Sequence, residues 1–227
     1  MNKIPKISVI MSVYNAYDDL EDSIESILEQ DFEDFEFLIM DDGSKDTSLS
    51  KLKKLEKKDK RIKILTNPTN LGLTKSLNIL LDHSGYNLIA RQDADDISFS
   101  NRAERQLEFM FKNNLDAVYS RAIRNDNLKL LPRYSYYFPD RLVMRFKNPF
   151  VHGTLLAKKE VIQSIGNYDE NIAYAQDYKL AKDLLDSNFK VKTIKEPLYR
   201  INMSENISNL KKKEQQHYAY LIKKGKL

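Results

Sequence analysis

Two short runs of acidic residues are the groups in this chain best suited to chemistry. Asp93-Ala94-Asp95-Asp96 and Asp41-Asp42-Gly43-Ser44 each follow a short apolar segment. In a D-x-D pattern one carboxylate can meet a divalent cation while the other meets a hydroxyl, and Mg²⁺ and Mn²⁺ prefer oxygen ligands that often include phosphate oxygens. The second run offers acceptors for a base N–H or a ribose hydroxyl. Each run alone is equally typical of an acidic loop or a helix cap.

The scarce residue types exclude several classes of site. The chain has no cysteine, so disulfides, thiolate zinc sites and cysteine nucleophiles are absent. Its three histidines are too far apart in sequence for a local zinc motif. The closest of its six glycines are 13 positions apart, which excludes a G-x-G-x-x-G loop, a P-loop and a G-x-S-x-G elbow. A nucleotide would therefore be held without a glycine cradle.

The elements that must position these carboxylates alternate along the first hundred residues. The pattern predicts strands at 7–13, 35–40, 62–65 and 88–90, and helices at 16–30, 46–58 and 74–82. Such alternation indicates βαβ units in a parallel sheet, with ligands beyond the carboxyl ends of its strands. Both acidic runs are expected at that edge.

The second half predicts a cap on the same domain. Helices are expected at 101–112 and 177–187, and strands at 117–124, 128–131, 149–157, 190–194 and 198–201. We therefore expect one domain over 1–210, with a nucleotide-binding half at 1–113, an acceptor half at 114–210, and a tail at 211–227.

The order of the motifs resembles family 2 glycosyltransferases of the GT-A fold over roughly residues 5–205. It is carried by ISVIMSVYN at 7–15, the two acidic runs, and Asn70-Leu71-Gly72. The stretches NLGLTKSLN at 70–78, ARQDADD at 90–96, PFVHGTLLA at 149–157 and AQDYKL at 175–180 look like bacterial capsule and exopolysaccharide glycosyltransferases.

The resemblance implies an α/β fold with a Rossmann-like, mostly parallel central sheet, flanking helices and a smaller C-terminal acceptor-side cap. It also implies a set of residues that contact the nucleotide-sugar: Ser12, Val13, Tyr14, Asn15, Asp41, Asp42, Asn70, Gly72, Lys75, Arg91 and Asp93. Lys75 is equally interpretable as a solvated helical lysine, and Arg91 as the partner of a neighbouring carboxylate.

The same resemblance implies that Asp95 binds a divalent metal, Mn²⁺ or Mg²⁺, and that Asp177 is the general base. A base at the start of a helix would deprotonate an acceptor hydroxyl, although Asp177 is also interpretable as a helix cap. His152 would contact the diphosphate or the acceptor, or serve as a buried structural histidine. The chain departs from the family in having Gln176 where a Glu is common, and Leu77 where an Arg is often found.

The leading hypothesis is an inverting, metal-dependent glycosyltransferase that moves a sugar from a nucleotide-sugar, expected to be a UDP-sugar, to a glycan or lipid-linked acceptor. A sugar-phosphate nucleotidyltransferase is an alternative, but it would need a glycine-rich loop after the first strand, where residues 13–16 have none. A nucleic-acid-binding module using the basic residues of 51–61 and the tail is a distant third, because it leaves the acidic runs unexplained.

The positive charge of the chain lies in its tail. Residues 211–227 contain six Lys and one Glu and so have a net charge of +5. The preceding residues have a net charge of −1, which gives +4 for the whole chain. Lysines interleaved with tyrosines favour contact with an anionic membrane over a nucleic-acid partner, with a packed C-terminal helix as the alternative. No apolar run approaches the ~20 residues of a membrane span, and no signal peptide is evident, so a cytoplasmic protein is expected, peripheral at the inner face of the membrane.

Overall fold

Four parallel strands and the helices between them form the first part of the fold. The computed structural model describes residues 6–203 and 211–226. The strands lie in the order β3-β2-β1-β4 and are all parallel. In chain order the elements are β1 (Ile7–Val13), α1 (Leu20–Leu28), β2 (Phe35–Asp41), α2 (Ser48–Lys58), β3 (Ile62–Thr66), α3 (Leu73–His83) and β4 (Leu88–Arg91). The predicted strand–helix alternation is confirmed.

The sheet continues beyond β4 in the order β8-β6-β9-β5, with the short β7 paired to β6. β6 and β9 are parallel, whereas β8 and β5 run antiparallel to their neighbours. The remaining elements are β5 (Ile97–Ser98), α4 (Arg102–Lys112), β6 (Ala117–Arg124), β7 (Leu130–Leu131), α5 (Asp140–Met144), β8 (Leu156–Lys158), α6 (Lys159–Ser164), α7 (Gln176–Asp186), β9 (Val191–Ile201) and α8 (Lys212–Lys223). The fold is therefore α/β with a mostly parallel sheet, as predicted.

Three predicted strands differ in the structure. Residues 149–157 do not form one strand, because a 3₁₀ turn at His152–Thr154 precedes β8. The Thr154 hydroxyl closes that turn by donating to the Val151 carbonyl at 2.8 Å. The predicted strands 190–194 and 198–201 are a single strand, β9, which passes Pro197 with a shift in register against β6.

Alternate residues of the central strands feed two hydrophobic layers, one on each face of the sheet. Ile10 and Leu38 pack on the side of α3, α6 and α7. Val9 and Phe37 pack on the side of α1, α2 and α4. Ile222 of α8 is fully buried in the first layer, so the C-terminal helix packs on the domain. No helix in the described ranges has the length and apolar character needed to cross a membrane.

Candidate active site

The carboxyl ends of three adjacent strands bring the two acidic runs together. Val13 of β1 pairs in register with Asp41 of β2, and β4 lies on the other side of β1. The ends of β2, β1 and β4 therefore stand side by side. They place Ser12, Val13, Tyr14 and Asn15 between Asp41–Asp42 and the loop that carries Asp93 and Asp95.

The two carboxylates at the end of β2, Asp41 and Asp42, differ in their hydrogen-bond partners. Both residues are 2% exposed. Asp42 accepts hydrogen bonds from the Asn67 amide at 2.7 Å and from the backbone N–H groups of Leu71 and Gly72, both at 2.9 Å. Asp41 accepts one bond, from the Ser44 N–H at 3.3 Å, and its Oδ1 is buried without a partner. Asp42 thus anchors the loop before α3, while Asp41 retains an acceptor for a ligand N–H.

Gly43 allows the loops after β2 and β3 to meet. Its φ is +71°, and a Cβ there would lie 2.6 Å from the Thr69 carbonyl carbon. This close approach brings the 67–72 loop against the end of β2. Asn15, at φ +50°, fixes the same corner because its side-chain oxygen accepts from the Lys45 N–H at 2.8 Å.

The loop after β4 is held from below by side chains that are fully buried. Gln92 donates to Ser23 Oγ at 3.0 Å and to the Asp96 carbonyl at 2.8 Å. Arg102 donates to the Arg91 carbonyl at 2.7 Å and to the Gly153 carbonyl at 3.0 Å. These bonds fix the backbone of the D-x-D loop relative to the turn at 152–154.

Arg91 is completely buried and forms an ion pair with Asp93. Of the two interpretations left open by the sequence, the structure therefore shows the pairing with a neighbouring carboxylate. Asp93 is further held through its backbone N–H, which donates to the Tyr199 hydroxyl at 3.1 Å. Because Arg91 is completely buried, it would act on a ligand indirectly, through Asp93 and through its charge on His152.

Asp95 and Asp96 differ in their partners. The Asp96 carboxylate is 5% exposed and accepts from the Asn202 N–H at 2.7 Å. Among the described residues, Asp95 accepts only from its own backbone amide, and no salt bridge reaches it. Burial, reinforced by the negative charge of Asp93, raises the pKa of Asp95 to about 6. Among the described residues, Asp95 is therefore the carboxylate of this loop that no other residue reaches with a hydrogen bond or salt bridge.

Asp177 is the second residue of α7. The residue that precedes this helix, Ala175, has the left-handed conformation. Its Oδ2 accepts from the Asn148 amide at 2.8 Å. Asn148 Oδ1 in turn accepts from the Phe150 N–H at 3.0 Å, so the amide is oriented with its nitrogen toward Asp177. One carboxylate oxygen is thereby fixed.

His152 and Tyr168 lie between the D-x-D loop and Asp177. His152 Nε2 is 2.8 Å from the Tyr168 hydroxyl. Burial and the positive charge of Arg91 lower the pKa of His152 to about 4, against opposing contributions from Asp93 and Asp177. The ring is therefore neutral at pH 7. A Cβ on the neighbouring Gly153 would lie 2.4 Å from the Tyr199 hydroxyl and 2.7 Å from Asp93 Oδ2, so the lack of a side chain lets this turn lie against both groups.

Two further predicted residues are exposed, and three residues of the site were not predicted. Asn70 and Lys75 are exposed, at the loop before α3 and on α3 itself. Gln92, Arg102 and Asn148 were not predicted as parts of the site. Arg102 and Gln106 carried a signal, because polar residues at i and i+4 share the inward face of α4 with Met110.

Comparison with known proteins identifies the class. The sequence model of Glycosyl transferase family 2 matches residues 8–166. This chain belongs to that family. The match favours the glycosyltransferase hypothesis over the nucleotidyltransferase and nucleic-acid-binding alternatives.

Named relatives come from several organisms. The putative glycosyltransferase EpsE of Bacillus subtilis is 33% identical over 210 residues, which are 88% of this chain and 74% of that protein. The O-antigen biosynthesis glycosyltransferase WbnJ of Escherichia coli is 38% identical over 164 residues, or 69% of this chain and 63% of that protein.

Solved structures with the same fold include two glycosyltransferase complexes. S. aureus TarS 1-349 with UDP has a TM-score of 0.77 at 20% identity, covering 96% of this chain and 64% of that one. The mannosyltransferase PcManGT from Pyrobaculum calidifontis, with GDP-Man and Mn²⁺, has a TM-score of 0.77 at 18% identity, covering 99% and 64%. The fold is therefore that of the GT-A glycosyltransferases.

Proposed function

We propose that this protein is an inverting, metal-dependent glycosyltransferase that moves a sugar from a nucleotide-sugar to a hydroxyl of a glycan or lipid-linked acceptor. The supporting observation is that the D-x-D loop and Asp177 converge on one pair of side chains, because the charges of both Asp93 and Asp177 act on His152. With the loop binding the diphosphate and Asp177 activating the acceptor hydroxyl, this arrangement would suit a single displacement at an anomeric carbon.

The nucleotide would lie along the ends of β2, β1 and β4. Asp41 would accept a base N–H through its buried, unpartnered Oδ1. Tyr14, 44% exposed, offers a ring surface at the same edge. Uracil presents such an N–H, so Asp41 suits the proposed UDP-sugar, although guanine presents one as well. PcManGT was solved with GDP-Man, so an experiment must decide between uracil and guanine as the base of the donor.

Asp95 fits a Mn²⁺ or Mg²⁺ ligand. Its carboxylate is largely buried beside Asp93 without a cationic partner among the described residues, an arrangement that a bound cation would relieve. No group of three His, Cys, Asp or Glu residues suited to a metal occurs within the described ranges, so phosphate oxygens and water would complete the coordination. When bound, such a cation supplies charge neutralisation of the leaving diphosphate.

Asp177 would accept the proton of the acceptor hydroxyl as its oxygen attacks the anomeric carbon. The bond from that carbon to the diphosphate oxygen breaks at the same time, and the nucleoside diphosphate leaves with the electron pair. Asn148 holds one oxygen of the carboxylate, leaving the other to take the proton. His152, being neutral, would contribute hydrogen bonds rather than charge to the diphosphate or acceptor.

The relatives suggest a role in bacterial surface polysaccharide synthesis, since WbnJ is named for O-antigen biosynthesis and another relative, AmsE of Erwinia amylovora, for amylovoran biosynthesis. The lysines of α8 would meet anionic lipid at the cytoplasmic side of the membrane. Ile222 is buried against the domain and Tyr218 is half-buried, so α8 itself offers lysines and Tyr220 to such a contact.

The donor assignment is tested by thermal unfolding with UDP-glucose, UDP-galactose, their N-acetylhexosamine counterparts and GDP-mannose, each with and without Mn²⁺. One UDP-sugar should raise the Tm only when Mn²⁺ is present. Asp95→Asn should abolish the Mn²⁺-dependent rise in Tm, whereas the exposed control Asp82→Asn should retain it. An Asp95→Asn protein with the wild-type Mn²⁺ response would refute the metal assignment.

The base is tested separately with the donor so identified. Asp177→Asn should keep the donor-induced Tm shift but lose transfer by about 10²–10⁴-fold, the usual contribution of a general base. The anomeric configuration of the transferred sugar in the product, measured from NMR coupling constants, should be opposite to its configuration in the donor. Retained configuration would overturn the single displacement.

A further inference from the structure

The stretch 133–147 exposes an unusual share of the large hydrophobic side chains. Eleven such residues are exposed in the described chain, and five of them lie here: Tyr134, Tyr137, Phe138, Leu142 and Phe146. Tyr137 and Phe146 are 69% and 70% exposed. Scattered single hydrophobic residues need no explanation, but a concentration of them marks an interaction surface.

The backbone of this stretch is held firmly against the domain. Val143 and Met144 are buried, and the Tyr178 hydroxyl donates to the Met144 carbonyl. Arg141 donates to the Leu185 carbonyl at 2.6 Å. The aromatic side chains are therefore presented outward by a packed segment. Leu142 lies in α5 and Phe146 in the turn that follows it, and both side chains are exposed.

The same stretch is basic. It contains four Arg or Lys and one acidic residue, Asp140. Arg133, Arg145 and Lys147 are exposed, whereas Asp140 is half-buried and burial raises its pKa. The aromatic side chains are thus interleaved with cations that lack neighbouring carboxylates on this stretch.

Helix α8 extends this surface. Lys223 donates to the Phe146 carbonyl, which places the last turn of α8 beside the end of the stretch. Tyr220 is 53% exposed, and Lys224 and Lys226 are exposed. The aromatic and basic groups of 133–147 therefore continue into those of α8.

This surface adjoins the candidate base. Asn148, which donates to Asp177, is the residue that directly follows the stretch. Tyr178, whose hydroxyl binds the Met144 carbonyl, is the residue after Asp177. A partner seated on the surface would therefore have its head groups close to the acceptor side of the pocket.

We propose that residues 133–147 and the exposed side of α8 form a docking surface for an anionic lipid bilayer, which brings a lipid-linked acceptor to Asp177. Aromatic rings settle at the boundary of a bilayer while Lys and Arg side chains meet anionic head groups. A second copy of the chain fits less well, because a two-fold contact would set this positive surface against itself. The acceptor class rests on the proposed function, whereas the lipid contact does not.

Co-sedimentation with lipid vesicles tests the surface on the intact chain. The wild type should bind phosphatidylcholine vesicles containing about a third phosphatidylglycerol and leave pure phosphatidylcholine largely unbound, since the anionic leaflet attracts its cations. Tyr137→Ser/Phe146→Ser and Arg145→Gln/Lys147→Gln should each weaken binding at least about tenfold. The matched control Phe111→Ser/Leu128→Ser changes residues that are 54% and 72% exposed outside the surface, and should bind like the wild type.

Equal binding of the wild type to both vesicle types, or an equal effect of the control pair, would overturn the proposal. A wild-type dimer in light scattering that Tyr137→Ser/Phe146→Ser dissociates would overturn it in favour of self-association. The Mn²⁺-dependent donor shift should persist in all variants, which shows that they fold. Vesicle binding without any donor shift in the wild type would leave the surface standing and refute the proposed Mn²⁺-dependent use of the tested donors instead.

Discussion

At the scale of single residues, the carboxylates of the site differ in how many hydrogen bonds the protein supplies. Asp42 accepts three and so serves as an anchor. Within the described ranges, Asp41 keeps one buried oxygen without a partner, and Asp95 has only its own backbone amide. Because a buried acceptor without a donor is costly, these two carboxylates are the ones that we propose a ligand completes. The distinction between neighbouring Asp41 and Asp42 depends on the 67–72 loop, and no sequence pattern reveals it.

Asn148 should matter for turnover rather than for donor binding. Its amide fixes one oxygen of Asp177 at 2.8 Å, while its own oxygen is held by the Phe150 N–H at 3.0 Å. Asn148→Ala should lower kcat by roughly 10–100-fold, since misplacement of a catalytic group by about 1 Å costs this much. The KM for the nucleotide-sugar should stay within about twofold, because Asn148 contributes to the acceptor side of the pocket alone.

Steady-state kinetics with the donor and acceptor pair in hand would measure both constants. Asn113→Ala is the control, since that exposed asparagine bonds only within its own turn, to the Phe109 carbonyl at 2.9 Å. A merely structural role for Asn148 would show as a lower Tm with kcat per folded molecule unchanged.

At the scale of elements, the periodicity of the sequence predicted the long strands and helices but not the short elements. The long helices were predicted because each buries one side, as α4 does, and the long strands because they are continuous apolar runs, as in β1, which is buried on both faces. The short elements β5, α5 and α6 have two to six residues, too few to show a period. The turn at His152–Thr154 was missed because the residues on either side of it, such as Phe150 and Leu155, are apolar and buried like those of a strand. What bends the chain there is a set of long-range contacts to Asp93 and Arg102.

Glu36 of β2 joins four segments of the sheet and offers a test at this scale. It is 5% exposed and accepts from Ser8 Oγ at 2.7 Å, from Lys63 Nζ at 2.6 Å and from the Gly85 N–H at 2.6 Å. Glu36→Gln loses charge-assisted bonds on β1, β3 and the loop before β4. It should lower the free energy of unfolding at pH 7 by about 1–3 kcal/mol.

The effect should depend on pH in one direction. Burial opposes the charged form of Glu36, but the bonds from Lys63, Ser8 and Gly85 outweigh it and lower its pKa. The stabilisation is therefore present above the unfolded value of about 4.3 and is lost as pH falls through the lower folded value. Urea unfolding at pH 7 and pH 3 should show the difference between wild type and Glu36→Gln shrinking at the acidic pH. Glu33→Gln, an exposed neighbour, should match the wild type at both.

At the scale of the whole molecule, the charge excess of the chain sits on a helix that is part of the folded domain. α8 packs on α7, and its Tyr218 lies edge-on to Tyr174, just before α7, with ring centres 6.0 Å apart. Ile222 is fully buried among the residues that also pack against α7. The helix that carries the lysines is thus joined to the helix that begins at the candidate base, so the basic surface and the pocket keep a fixed relation.

Ile222→Ala should show that this docking contributes to global stability. Removing a fully buried isoleucine side chain to alanine costs about 2–5 kcal/mol, and the midpoint of urea unfolding should fall accordingly. Tyr220→Ala, two residues away but 53% exposed, should leave the midpoint nearly unchanged while weakening vesicle binding. If the two variants unfolded alike, α8 would not be docked in solution, and the lysines could no longer orient the pocket toward a membrane. A selective loss in Ile222→Ala would instead make the tail and the catalytic domain one cooperative unit, because only a packed helix transmits the loss of a single side chain to the unfolding of the whole chain.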